Sequence, residues 1–148
     1  MYSRILIATD GSELSTRGLL HGLDLAAKLG VAASVVTVTE HWSPFDMAGE
    51  AQRGVTNPVG EYEAAARAAG RRGLDAAMVL AGERGVAAEP VHVTDSGAAE
   101  GIVRTAAEKG CDLIVMASHG RRGLNRVLLG SQAMEVVTES KVPVLIVR

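Results

Sequence analysis

Aromatic side chains make up only 3% of the 148 residues: one Trp, one Phe and two Tyr. The core must therefore come from Val, Leu, Ile and Ala, which favours close helix–sheet packing over a sandwich built around large rings. Cysteine occurs once, at Cys111, which rules out an internal disulfide and a cysteine-based zinc cage and fits a reducing compartment. Fifteen basic residues stand against seventeen acidic ones, for a net charge of −2. No global basic field exists to hold nucleic acid or an anionic membrane surface. The first apolar segment, Ile5 to Ala8, is far shorter than a secretory core or a membrane span of about 20 residues. The expectation is a soluble, cytoplasmic protein with one domain over 1–148, since domains commonly run to about 100–200 residues.

What the chain does have is apolar material, at 47%, arranged in short continuous runs. These are Ile5-Leu6-Ile7-Ala8, Val35-Val36-Thr37-Val38, Val91-His92-Val93, Leu113-Ile114-Val115-Met116 and Val144-Leu145-Ile146-Val147. Most do not alternate with polar residues, as expected of strands buried on both faces of a parallel sheet. Helical spacing lies between them: Leu19, Leu23, Ala26 and Gly30, then Ala98, Ile102 and Ala106, then Ala133, Val136, Val137 and Ser140. Gly30 and Gly110 sit where helices should end, and Ser96 is a candidate N-cap. The order β-α-β-α-β-α-β-α-β predicts an α/β fold: an open, doubly wound, five-stranded parallel sheet flanked by four helices. The stretch from His41 to Pro58 breaks the rhythm with two prolines and two glycines, and reads as a flap near a ligand or a dimer seam. Gly70 and Gly73, inside the helix that follows, suggest a close helix–sheet approach.

Val115-Met116-Ala117-Ser118-His119-Gly120-Arg121-Arg122-Gly123, running on to Leu128-Leu129-Gly130-Ser131, carries the most chemical information. A strand gives way to a Gly- and Arg-rich loop and then to a helix start. Unpaired N–H groups of a helix's first turn carry roughly +0.5 charge, and glycines let a backbone approach an anion closely. The pattern predicts a phosphate seat, with a tight strand–helix connection as the plain alternative. It is neither a Walker A loop nor a dinucleotide fingerprint, because both spacings are absent. In open α/β sheets the ligand sits beyond the carboxyl ends of the strands, where strand order reverses. Ala8-Thr9-Asp10-Gly11-Ser12 and Val38-Thr39-Glu40 should converge there with the loop.

The loop resembles the nucleotide-binding signature of the universal stress protein family, Gly-x2-Gly-x9-Gly-[Ser/Thr], matched here by Ala117, Gly120 and Gly130-Ser131. The opening Ile-Ala-Thr-Asp-Gly-Ser and the closing Val-Pro-Val-Leu-Ile-Val are similar to that family too, so the resemblance spans the whole chain. It implies a Rossmann-like sheet of the adenine-nucleotide α-hydrolase kind and a regulatory protein that binds ATP, AMP or ADP. Carried over by position, the resemblance implies that the amides of Gly120, Gly130 and Ser131 hold the phosphates. Gln132 and Ala133 open the helix beside them, and Ala8, Thr9 and Asp10 line the opposite wall. Val38 would meet adenine through its backbone, above a floor of Met116 and Ala117. Asp10 is placed to help hold Mg²⁺ or Mn²⁺ on the phosphates, or simply to cap the first helix. His119 is either a donor to ribose or phosphate or a solvated loop histidine. Arg121, with Arg122 and Arg126, is either positive potential for a triphosphate or ordinary surface.

Ala117 departs from the signature, which has glycine there. A methyl group is harmless if the backbone keeps φ < 0 and damaging if the position needs φ > 0. The alternative reading is accordingly a non-ATP-binding universal stress protein that acts as a protein-interaction module. No general base is evident, so any hydrolysis would be slow. The apolar strand Val142 to Val147 at the chain end would be an association hazard if exposed, and in the family it pairs two copies into a homodimer.

Overall fold

A computed structural model of the chain describes residues 1–40, 58–119 and 128–148. Its strands are β1 (Arg4–Ala8), β2 (Ala32–Val38), β3 (Ala88–Val93), β4 (Leu113–Ala117) and β5 (Val144–Val147). Between them lie α1 (Glu13–Leu29), α2 (Pro58–Glu83), α3 (Ala98–Glu108) and α4 (Ser131–Glu139), four helices among the described residues. The strands form one sheet in the order β3-β2-β1-β4-β5, with every pairing parallel. The expected α/β architecture is the observed one. Chain order reverses beside β1, which has β2 on one side and β4 on the other, so the switch point lies where β1 and β4 end.

The unbroken apolar runs are explained by burial on both sides. Ile5, Ile7, Val35 and Val115 pack beneath Leu19 and Leu23 of α1 and Leu74 and Ala77 of α2. Leu6, Val36, Ile114 and Met116 pack on the other face, beneath Ile102 and Ala106 of α3 and Ala133 and Val136 of α4. Successive residues of a strand thus serve opposite layers, and among the described residues neither layer has an aromatic ring at its fully buried centre.

Helix ends follow local chemistry. The Ser12 hydroxyl accepts the Ser15 N–H at 3.2 Å and starts α1, while Gly30 and Gly110 take left-handed φ values of 68° and 63°. Ser96 does not cap α3. Gly97 occupies the cap position without a side-chain bond, and the Ser96 hydroxyl donates to the Gly97 carbonyl instead. The α3 amides are served from outside: Glu40 accepts Ala98 N–H and Gln132 accepts Ala99 N–H. Val137 is 44% exposed and so lies off the buried stripe of α4. A Cβ at Gly70 would strike the His92 ring at 2.7 Å, as a close approach requires, whereas Gly73 meets nothing within 4 Å and faces open space. The stretch 41–57 lies outside the described residues, and the flap expected there with it.

The amino end of the sheet is tied by charge. Glu89 accepts from Arg4, from Lys109 at 3.1 Å and from the buried Ser34 hydroxyl at 2.9 Å. Asp112 receives the Ser3 and Arg4 amides and the Ser3 hydroxyl. Among the described residues, a cleft lies at the opposite, carboxyl end of the sheet.

Candidate functional site: a cleft at the carboxyl end of the sheet

A cleft of about 450 Å³ opens at the strand-order switch, a volume within the usual range of small-molecule sites. Ala8, Thr9, Asp10, Val38, Met116, Ala117, His119, Gly130, Ser131, Gln132 and Ala133 all line it. Residues from four separate parts of the chain, singled out in the sequence, are therefore brought together around one space. Gly120 and Arg121 lie outside the described residues, as do Arg122 and Arg126.

One wall is a fixed polar turn. Asp10 Oδ1 accepts the Ser12 N–H at 2.9 Å, so Asp10 braces the turn before α1 while Ser12 is the cap. Gly11 provides the φ of 79° that this turn needs. Beneath it Thr9 Oγ1 and Ser15 Oγ lie 3.1 Å apart, both buried, and Thr37 donates its hydroxyl to the Thr9 carbonyl at 2.8 Å.

The second wall is the overhang of β2. Its last match to β1 is Val36 with Ala8, but on its other side it runs on to pair Val38 with Val93. The Val36 carbonyl accepts Thr9 N–H at 3.0 Å, so its main chain faces β1. By the two-residue period of a strand, the main chain of Val38 faces the same way, past the end of β1 and over the cleft.

The third wall is the start of α4. The Met134 N–H closes the first helical bond onto the Gly130 carbonyl at 2.9 Å. Ser131, Gln132 and Ala133 precede it, and their amides make no hydrogen bond among the described residues. Such a turn concentrates partial positive charge where it lines the cleft. Gly130 is different: its amide donates to the Ser118 carbonyl at 2.8 Å and is not available to a ligand. A Cβ at 130 would stand 2.9 Å from that same oxygen, so the close approach that requires glycine is to Ser118, within the protein itself.

Ala117 ends β4, buried, paired with Val147 and packed against Gly18 of α1. No described residue other than glycine has a positive φ, so Ala117 occupies ordinary backbone and its methyl group imposes no strain. His119 is half-buried, with Nδ1 3.1 Å from the Ser118 hydroxyl. Cys111 is buried at the far end of the sheet, where burial pushes its thiol up, as expected of an inert cysteine. Among the described residues no three His, Cys, Asp or Glu groups form a metal cage.

Sequence reasoning missed the wall that α2 contributes. Tyr62, Ala66, Ala69, Gly70 and Gly73 line the cleft with Thr37, Thr39 and Glu40. Thr39 and Glu40 were expected there with Val38; the small residues at 66, 69, 70 and 73 follow helical spacing, but that spacing alone does not say which face turns to the sheet.

A doubly wound, five-stranded parallel sheet with a cleft at its strand-order switch defines an open α/β protein of the Rossmann-like kind. The universal stress protein family model matches residues 1–148, and the chain belongs to the universal stress protein family. It is 32% identical over 155 residues to universal stress protein YxiE of Bacillus subtilis, covering all of both chains. It is also 32% identical over 148 residues to universal stress protein MJ0531 of Methanocaldococcus jannaschii, covering all of this chain and 83% of that one. Among solved structures, a universal stress protein family member from Burkholderia pseudomallei superposes with a TM-score of 0.75 at 30% identity, over 99% of this chain and 96% of that one. A universal stress protein in complex with cAMP matches at 0.70 and 24% identity, over 99% and 97%. One from Archaeoglobus fulgidus in complex with dAMP matches at 0.69 and 19%, over 99% and 98%. At those last two identities the likeness is of fold.

Proposed function

We propose that the cleft binds an adenine nucleotide, ATP or its mono- or diphosphate, as a regulatory ligand with little or no turnover. The observation that carries this reading is the seat at the start of α4: three consecutive amides, Ser131, Gln132 and Ala133, that make no hydrogen bond among the described residues, across the cleft from the overhanging main chain of Val38. The amides suit phosphate oxygens, with the Ser131 hydroxyl beside them. The Val38 backbone suits the donor and acceptor edge of a base. Structural neighbours in complex with cAMP and dAMP support an adenine nucleotide over other phosphates.

Asp10 contributes one carboxylate, which fits Mg²⁺ or Mn²⁺ bridging to phosphate oxygens, because Mg²⁺ takes one or two carboxylates and completes its shell with phosphate and water. The ion would neutralise the phosphates. Calorimetric titration with ATP and Mg²⁺ tests the reading: saturable heat with one site per chain supports it, and no heat and no thermal shift at millimolar nucleotide refutes it.

A homodimer through the C-terminal strand accompanies this reading. β5 is an edge strand, half-buried along its whole length, and Met134 and Val137 of α4 are 52% and 44% exposed. An apolar edge of that kind is covered economically by a two-fold contact.

A further inference from the structure

The cleft has a second polar edge, away from the phosphate seat. Thr39 lines it beside Val38, and its Oγ1 lies 2.7 Å from Nε2 of His92 on the neighbouring strand β3. The Thr39 amide is committed to the Val93 carbonyl at 2.8 Å, so the hydroxyl is its remaining donor. His92 is wedged beneath α2, where a Cβ at Gly70 would stand 2.7 Å from Nε2 and 2.8 Å from Cε1. Glycine at 70 is what lets the imidazole reach Thr39.

We propose that His92 is a positioning residue that holds Thr39 Oγ1 as an acceptor, and that this oxygen selects an amino group over a carbonyl on the bound base. The proposal rests on the nucleotide reading above and names the feature of the base that the site discriminates.

The chemistry is an either-or, because the hydroxyl has one proton. With Nε2 unprotonated, that proton is donated to the ring and the oxygen's lone pairs are left for the cleft. With Nε2 protonated, the ring donates to Oγ1 and the hydroxyl proton turns towards the cleft. Adenine presents an amino group at its 6-position and hypoxanthine a carbonyl, so the first arrangement suits adenine and the second hypoxanthine. Burial holds the imidazole below its ordinary range, and the guanidinium groups of Arg71 and then Arg67 on α2 push the same way. From β2 the ring meets the uncharged Thr39. The carboxylate of Glu40 that follows is engaged by the Ala98 N–H at 3.3 Å, and β3 is the edge of the sheet. The ring is therefore neutral at neutral pH. On this proposal its one proton sits on Nδ1, and protonation of Nε2 in acid forces the donor arrangement.

Calorimetric titration of the full chain with AMP and with IMP, at about pH 8 and about pH 5, tests the proposal. The expected result is a preference for AMP of about tenfold at the higher pH, the worth of one hydrogen bond, shrinking several-fold at the lower. Thr39→Ser keeps the preference, Thr39→Val loses it at both pH values, and His92→Gln removes its pH dependence. Imidazole ¹⁵N shifts of the ligand-free protein at about pH 8 should show Nε2 unprotonated. Binding of both nucleotides with a pH-independent preference, or an Nε2–H ring at the higher pH, overturns this proposal and leaves nucleotide binding standing. Binding of neither nucleotide overturns both.

Discussion

The Gly130 amide donates to the Ser118 carbonyl at 2.8 Å, and a side chain on Gly130 would meet that oxygen at 2.9 Å. The glycine that resembles a ligand-binding signature is thus first a joint between the end of β4 and the start of α4. It fixes where the next three amides stand.

Gly130→Ala is accordingly expected to act on the protein before it acts on the ligand. The added methyl group must push Ser118 or the first turn of α4 aside, costing about 1–3 kcal/mol. Urea denaturation of the ligand-free variant checks this, with a loss of stability expected even without nucleotide. Unchanged stability with lost binding would instead assign Gly130 to ligand contact.

Ala117→Gly should not improve nucleotide affinity beyond about threefold, because the position already has ordinary φ and a glycine there relieves nothing. It should cost stability, about 1 kcal/mol, through added backbone freedom in a buried strand. Paired titrations and melts of wild type and variant are the check. A tenfold or larger gain in affinity would show the methyl group to be an obstacle.

Glu89 should give the protein an acid-sensitive component of stability. The Lys109 ammonium and then the Ser34 hydroxyl hold its carboxyl below the ordinary value. A folded-state value below the unfolded one means the stabilisation is fully present above the unfolded pKa, about 4.5. It is lost as pH falls through the lower, folded value. Because the carboxylate is about one-third exposed, solvent screening limits the gain to about 1 kcal/mol or less. Glu89→Gln should therefore be less stable than wild type at neutral pH and converge with it in strong acid, as followed by denaturant titration across pH.

The outer edge of β5 supplies a fourth test. Pro143 and Val147 give their carbonyls to β4, so by the strand period Val144 and Ile146 direct their main-chain groups outwards. Proline is tolerated at an edge position whose N–H faces away from the sheet. Ile146→Pro should keep the β4–β5 ladder, remove an outward donor and, if the proposed β5 dimer forms, convert it into monomers in sedimentation velocity. A variant that sediments as wild type would place any dimer contact elsewhere.

The sheet was legible because its strands are buried on both faces and its helices carry narrow apolar stripes; Ile5 to Ala8 and Leu113 to Met116 needed no tertiary knowledge. The cleft was legible in its loops, since Thr9, Asp10 and Ser131 sit where strand ends must converge. Three things were not. The capping of α3 by Glu40 and Gln132 joins residues far apart in sequence, which no local cap pattern reveals, and Ser96 was a natural but wrong candidate. The bond that occupies the Gly130 amide depends on how the chain returns past Ser118. The α2 wall depends on which face of a weakly amphipathic helix turns to the sheet, and small residues such as Ala66 and Gly73 mark that only after the fact.

The account stands on the three amides that open α4. Backbone ¹H–¹⁵N spectra recorded during titration with ATP and Mg²⁺ report on them directly. The Ser131, Gln132 and Ala133 resonances should move downfield together and saturate, with Val38 perturbed in step and the already bonded Gly130 amide moving less. If nucleotide binds while those three resonances stay in place, or if none of the cleft residues moves at saturating nucleotide, the assignment of this cleft as the nucleotide site is contradicted.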